Sequence, residues 1–592
     1  MSQKTKHEEQ QRPLGGNTAS FSLNRREFLG GAAGLAAALA TGGAVLETVL
    51  VPSAAEAVEI TPSPPGARLG EAQSIRVQAA ADETKLGVFP HPTNGDEERY
   101  PNFIGNFSKT LPHNSIGEVD PVAYNALLNA LGTGNIDDFE NVPIGGTAAY
   151  LNPMGGLAFN IEGPDSPATE LVATPPAIAS AAKAAEAVEI YWQAYLRDVP
   201  FADYNVNPVV QQACDDLSRL SDYRGPRDTA GRVTPQLLFR YNYPGCLDGP
   251  MTSQILYRDF AYDGIQITPQ IRTRQPVLDW NPDGTFTFDP LGRDFLTAFS
   301  EWLDIQNGVA RGNVSVFDAT PRFIRNVRDL GHLAGSDTIY SAYFRAAIVL
   351  GGLGAVVDDG NPYKNRTRQG GFATFGLAHL LMLVGSVHKA ERHAWYDKWN
   401  VHRHLRPEAF GGLVDNHLQR RAQYPLHMEL LNSPVLGKIA AYNQDLNQVR
   451  FGTNEASFLL PQELPGGSPA HPSAPAGHAV SAGACVTILK AWFNEDTVIN
   501  PARLVQPNRD GTALEPYSGP PLTIGGELNK LCHNLTAGRD MSGLHWRIAD
   551  DLTGNFQGEE IAIRVLREAK ATYPEPNATF SLTKFNGEKI TI

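Results

Sequence analysis

The chain is poor in cysteine, in charge and in alternating strand patterns, and each shortage excludes something. Only Cys214, Cys246, Cys485 and Cys532 occur among 592 residues, and no two of them form a CxxC. A zinc ribbon and a thioredoxin-type redox site are therefore excluded. Four thiols leave room for one or two disulfides, with Cys214 and Cys246 as the candidate pair. Cys485 lies in an apolar stretch and reads as a small packed hydrophobe. Charged residues are only 19% of the total, and 49 Lys plus Arg stand against 63 Asp plus Glu, a formal net charge of −14. That balance excludes a broad nucleic-acid or anionic-membrane surface, but not a local cationic pocket. Past the first residues, no apolar run approaches the roughly 20 residues that span a bilayer.

What is present is a large supply of core material: 42% of residues are hydrophobic, and 56 Gly with 43 Pro imply long structured connections. Disorder as the overall state is excluded. At roughly 100–200 residues per domain the length allows three or more domains, but with no fixed-period repeat and no low-complexity linker a single contiguous helical core is the expectation.

Near the start, Asn24-Arg25-Arg26-Glu27-Phe28-Leu29-Gly30 precedes an uncharged Ala/Gly-rich run from Gly31 to Leu46, and Ala55-Glu56-Ala57 supplies small residues for cleavage. Paired arginines before a mildly apolar stretch are the twin-arginine export pattern, so residues 1–57 are expected to be a signal peptide and the mature chain periplasmic or secreted. The apolar run is too short and Gly-rich for a stable membrane span.

Residues 58–290 read as an N-terminal helical and wrapping or oligomer-forming region, broken by Pro and Gly, and residues 291–592 as the catalytic helical-bundle region. Helical patterns fall at Pro121–Leu131, Ile178–Leu196, Pro208–Leu220, Leu291–Ile305, Ser341–Leu353, Phe372–Val401, Ala479–Phe493, Gly526–Ala537 and Gly558–Ala569. Strand-like alternation is rare, Thr285–Asp289 being one short case. The fold class is therefore mainly α: packed helical bundles joined by long loops.

Three segments carry chemistry. In the first, Trp395, Lys398, His402 and Arg406 stand at steps of 3, 4 and 4, which on one helix would align them along a single face ending at Pro407. Alone, this pattern also fits a solvated surface. The second, Gly467 to Ala479, is a Pro-rich approach that ends at Ala476-Gly477-His478 where an apolar helical run begins. A helix start offers free N–H groups to an anion, Gly lets the backbone come close, and His478 can act as acid or base. The third is Gly538 to Arg547. Arg539 and His545 are six apart, about 240° on one helix, so only a break such as Gly543 lets both face inward. Together the three offer the charges of Lys398, Arg406 and Arg539, the Gly477 amide, and the imidazoles of His478 and His545. That set suits a highly charged tetrahedral oxyanion, phosphate or vanadate. A zinc site from His388, His393, His402 and His404 lacks the HExxH spacing.

The order Lys…Arg-Pro, Pro-Ala-Gly-His and Arg-x5-His resembles the vanadium-dependent haloperoxidases and the related type 2 acid phosphatases. The Lys398–Arg406 gap and His471 seven residues before His478 resemble the algal and cyanobacterial bromoperoxidase branch. The resemblance implies vanadate as cofactor, with His545 as the axial vanadium ligand. Lys398, Arg406, Arg539 and the Gly477 amide would hold its oxygens, and His478 would be the acid–base residue. His471 would tune His478 and the halide region, and Trp395 would lie beside the halide path. It further implies hydrogen peroxide, halide and small organic acceptors as partners, with bromide or iodide oxidised to hypohalous acid, and a homo-oligomer. Two departures stand out: Ala476 replaces the family's Ser, and the Asp expected four residues after His545 is displaced to Asp550 by one insertion. The alternatives are an exported acid phosphatase with His545 as nucleophile, and a binding protein whose site has decayed. A calcium ion near Asp358-Asp359-Gly360 is left open by the residues.

Overall fold

The computed structural model describes residues 64–592 apart from 171 and 172, so the twin-arginine segment lies outside the described residues. These described residues cluster as one unit. Its principal helices are α1 (Pro65–Leu86), α2 (Pro121–Thr133), α3 (Ala181–Tyr195), α4 (Pro208–Ser218), α5 (Phe299–Gln306), α6 (Val327–Ser336) and α7 (Ser341–Leu353). They continue with α8 (Leu377–Val387), α9 (Glu391–Tyr396), α10 (Pro407–Leu418), α11 (Pro434–Phe451), α12 (Gly477–Trp492), α13 (Ile524–Met541) and α14 (Thr553–Lys570). The described strands form two-stranded antiparallel hairpins of three-residue arms, among them Leu278–Trp280 with Phe286–Phe288. The fold is mainly α.

Local chemistry explains many of the helix starts. Asp120, Ser180, Asn207, Asn326, Ser433 and Thr523 each accept a backbone N–H of the helix that follows, and Pro occupies the first turn of α2, α4 and α11. The core is centred on α12 and α13. Every residue of α13 is buried, and several of its polar side chains are paired there. Lys530 Nζ lies 2.6 Å from Glu527, His533 Nε2 lies 3.0 Å from the Phe239 carbonyl, and Asn534 donates to the Met251 carbonyl at 3.0 Å. α12 meets α14 backbone to backbone. A Cβ on Gly558 would lie 2.1 Å from the Val480 carbonyl, and one on Gly483 2.1 Å from that of Asn555.

Three expectations are corrected. Leu291–Ile305 is helical only from Phe299, because Asp294 is drawn into a buried ion network, 2.6 Å from Arg197 and 2.8 Å from Arg328. Phe372–Val401 is not one helix: it starts at Leu377 and changes pitch at His388 and again at Asp397. Cys214 and Cys246 do not pair; all four cysteines are buried free thiols. No helix among the described residues is long and apolar enough to cross a membrane. Near the candidate calcium position, Asp359 pairs with Lys364 at 2.6 Å and Asp358 accepts the Gly360 N–H. No group of three His, Cys, Asp or Glu arranged for a metal occurs among the described residues.

Candidate active site

Lys398 and Arg406 reach one place by a route other than the single helix their spacing suggests. After α9 the backbone widens into a π turn over Asp397–His402, and Arg403 then takes left-handed angles (φ 38°, ψ 42°) that end it. The N-terminal part of the chain holds that break: Arg403 donates to Glu97 at 2.7 and 2.5 Å, and its carbonyl accepts the Phe107 N–H at 2.8 Å. Arg406 then precedes α10 as its N-cap. His402, the third member of the expected stripe, lies instead near Asp397 and His404, with its Nδ1 unpartnered.

Arg406 is the hub. Its Nε donates to the His471 carbonyl at 2.9 Å and its Nη1 to the Leu544 carbonyl at 2.9 Å. The same Nη1 lies 2.9 Å from His545 Nε2, and Nη2 lies 2.9 Å from His471 Nδ1. Lys398 Nζ stands 3.3 Å from His471 Nδ1 and 4.5 Å from the centre of the Trp395 ring, which packs on His471 at 4.9 Å. Arg539 comes from the last turn of α13. Gly543, at φ 90°, breaks the chain after it and lets His545 turn inward. Arg539 is held by the Ala334 carbonyl at 3.4 Å and its Nε has no partner.

Lys398, Arg406 and Arg539 are 0, 1 and 7% exposed, and among the described residues no ion pair forms to any of them. Burial pushes Arg406 down to about 9 and Arg539 down to about 10, and sets Lys398 well below the usual lysine range, with Arg406 adding to the effect. Three buried cations without a counter-ion are costly, and an anion among them removes that cost.

His545 has a defined tautomer. Its Nδ1 is 2.7 Å from Asp550 Oδ2, which also accepts from the Trp546 N–H at 3.1 Å and from Ser473 Oγ. Burial works to raise the Asp550 carboxyl, but hydrogen bonds from His404 and His545 outweigh it and keep it ionised. The proton therefore stays on His545 Nδ1, and Nε2 carries the lone pair toward Arg406 and the cation cluster. Asp550, five residues after His545, is carried to it by a second π turn, Arg547–Leu552.

Gly477 is the first residue of α12 and Ala476 its N-cap, with no side-chain capping bond. A Cβ on Gly477 would lie 2.9 Å from both Glu391 Oε1 and the Trp395 ring, so a larger residue would have to displace those side chains. His478 follows with its Nε2 inaccessible and unpartnered. Burial, then the charges of Arg539, His545 and Lys398, push its imidazole well below the usual range, so it is a neutral base. His471 is depressed in the same way by burial, Lys398 and Arg406.

The structure thus brings Lys398, Arg406, His471, Trp395, His545 and Asp550 into direct contact, with Arg539 and His478 close by in charge and Gly477 packed on Trp395. Sequence reading passed over Ser473 and Glu391, and weighed His404 only as a zinc ligand. Ser473 stood inside the Pro-rich segment, but nothing local marks it as a partner of Asp550. The donor set fits a tetrahedral oxyanion bound to a metal at His545: three cations, a free helix-start amide and a lone pair of fixed direction.

No family model matches the chain. It is 35% identical over 547 residues to the vanadium-dependent bromoperoxidase of Ascophyllum nodosum, covering 89% of this chain and 93% of that protein. The vanadium-dependent bromoperoxidase of Corallina pilulifera is 32% identical, over 87% of this chain and 97% of that one. Among solved structures, the homohexameric second vanadate-dependent bromoperoxidase of Ascophyllum nodosum superposes with a TM-score of 0.81 at 32% identity, covering 94% and 95% of the two chains. With an unpaired cation cluster around an oriented histidine, and identity at this level over nearly the whole length, the chain belongs to the vanadium-dependent bromoperoxidases.

Proposed function

We propose that this chain is a vanadate-dependent halide peroxidase that oxidises bromide or iodide with hydrogen peroxide to hypohalous acid, which halogenates small organic acceptors. The observation that carries the reading is the convergence of three buried, unpaired cations on His545, whose Nε2 lone pair is set by Asp550. Lys398, Arg406, Arg539 and the Gly477 N–H would hold the oxygens of vanadate and His545 Nε2 would ligate the metal. When bound, vanadate supplies Lewis-acid activation of peroxide without a change of oxidation state.

The chain's own residues do the rest. His478, neutral and beside the cations, takes a proton from hydrogen peroxide at Nε2 and returns one as product leaves. Lys398 is held by His471 and faces Trp395, so its ammonium polarises an oxygen placed between them. The Trp395–His471 pair excludes water from one wall and gives a halide an aromatic and cationic approach.

The acid phosphatase alternative is not favoured, since the curated relatives are named bromoperoxidases. The test is bromination of a phenolic dye by purified protein with and without orthovanadate, beside phosphoester hydrolysis. Vanadate-dependent, peroxide-dependent bromination is expected; hydrolysis alone would overturn the reading.

Two further parts of the proposal concern setting. Arg25-Arg26, the run to Leu46 and Ala55-Glu56-Ala57 support twin-arginine export with cleavage after Ala57, checked by the N-terminal sequence of the exported protein. The homohexameric neighbour supports a homo-oligomer, checked by sedimentation.

A further inference from the structure

The wall between the buried cations and solvent carries a carboxylate that vanadate binding and proton transfer leave unused. Lys398, Arg406, Arg539 and His545 are buried, whereas Glu391, Trp395 and His478 are half-buried, so these three form a lip on one side of the cation cluster. Glu391 opens α9, and Trp395 stands four residues on, along the same helical face. Both close on Gly477, where an added Cβ would lie 2.9 Å from Glu391 Oε1 and 2.9 Å from the Trp395 ring; His478 is the next residue of α12. Trp395 in turn covers Lys398 at 4.5 Å and packs on His471 at 4.9 Å. Direct contacts therefore fix the Glu391 carboxylate beside the way in to Lys398.

That carboxylate keeps its charge. Its side chain is 22% exposed, it forms no hydrogen bond among the described residues, and its ion-pair partner, His388 Nε2, is 3.6 Å away. The His388 ring stacks on Tyr340, and burial holds it below the usual histidine range, so it offers little positive charge. The start of α12 favours a carboxylate at this place. Burial pushes the Glu391 carboxyl up, and the charge of Lys398 opposes the rise. The consequence for the two substrates differs. Hydrogen peroxide is neutral and passes Glu391 at no electrostatic cost. A halide is an anion, and like charges a few ångströms apart in a half-buried site repel strongly enough to change affinity several-fold.

We propose that Glu391 is a specificity-determining residue of halide uptake: its carboxylate at the lip opposes entry of the anion, spares the neutral peroxide, and so sets the halide KM. The inference rests on the halide peroxidase reading and assigns a role to a residue outside the vanadate cradle.

The experiment measures kcat and KM for bromide and for peroxide on the full, vanadate-loaded chain at about pH 8, above the carboxyl range. Glu391→Gln, which removes the charge and keeps the shape, is expected to lower the bromide KM by roughly 3–10-fold. Its peroxide KM and its kcat at saturating bromide should stay within about twofold of wild type, the pattern of a change in binding alone. Glu391→Asp keeps the charge and should leave the bromide KM close to wild type. Glu391→Ala removes the charge by truncation and should move it in the same direction as Glu391→Gln, whether or not the amide is well accommodated. A bromide KM unchanged or raised in both uncharged variants would overturn the proposal. So would a peroxide KM that falls in step with that of bromide, or an Asp variant that behaves like the Gln one. Wild-type protein without vanadate-dependent bromide oxidation would overturn the peroxidase reading and this proposal together.

Discussion

Asp550 Oδ2 lies 2.7 Å from His545 Nδ1, and this contact decides which ring nitrogen of His545 is free. Asp550→Ala removes the acceptor and leaves the imidazole to rotate and change tautomer. Vanadate affinity should fall by roughly 10–100-fold, the usual effect of losing such a supporting partner. Vanadate titration of metal-free protein reads this directly; unchanged affinity would show that Ser473 and the backbone orient the ring without the carboxylate.

His478→Ala separates binding from turnover. The variant keeps Lys398, Arg406, Arg539 and His545, so bound vanadate should persist at near wild-type stoichiometry. Bromination should drop by about 10²–10⁴-fold, the range for a removed acid–base group. Parallel loss of vanadate would make His478 part of the binding site instead.

His545→Ala should behave in the opposite order. It removes the protein's one proposed bond to vanadium, so retention of the metal and bromination both vanish while the fold persists. A variant that keeps both would refute the ligand assignment.

Ala476 is the N-cap of α12 and makes no capping bond. Ala476→Ser therefore has two expected effects. The hydroxyl oxygen can accept an N–H of the first turn, adding about 1 kcal/mol of stability, measured by denaturant unfolding. Its proton can be donated to a bound oxyanion beside Gly477, and a gain of about 1.4 kcal/mol would raise vanadate affinity tenfold. Equal affinity with raised stability would mean that the hydroxyl caps the helix but does not face the cofactor.

Gly558→Ala tests the α12–α14 contact. The new methyl would be 2.1 Å from the Val480 carbonyl, so the helices must separate. Destabilisation of about 1–3 kcal/mol or more is expected in thermal or denaturant unfolding. Since α12 carries Gly477 and His478, vanadate affinity should fall with it.

The helical class and most helix positions were legible in the sequence, because apolar periodicity, capping residues and Pro or Gly punctuation act within a few residues of one another. Ser341–Leu353 is helical over the very span its pattern indicates, and Gly543, the break that the spacing of Arg539 and His545 pointed to, is where the chain turns. The inventory of the site was legible for the same reason: Lys, Arg and His announce their chemistry wherever they stand. The geometry was not. Lys398 and Arg406 meet because Arg403 is pinned to Glu97, 306 residues earlier in the chain, and no local pattern encodes that contact. Asp550 reaches His545 through a π turn, and Ser473 joins it from a loop 77 residues away. The free thiols of Cys214 and Cys246 were likewise decided by tertiary packing. Side-chain type is a property of the chain, whereas convergence depends on where distant contacts bend the backbone, and only the folded structure holds that information.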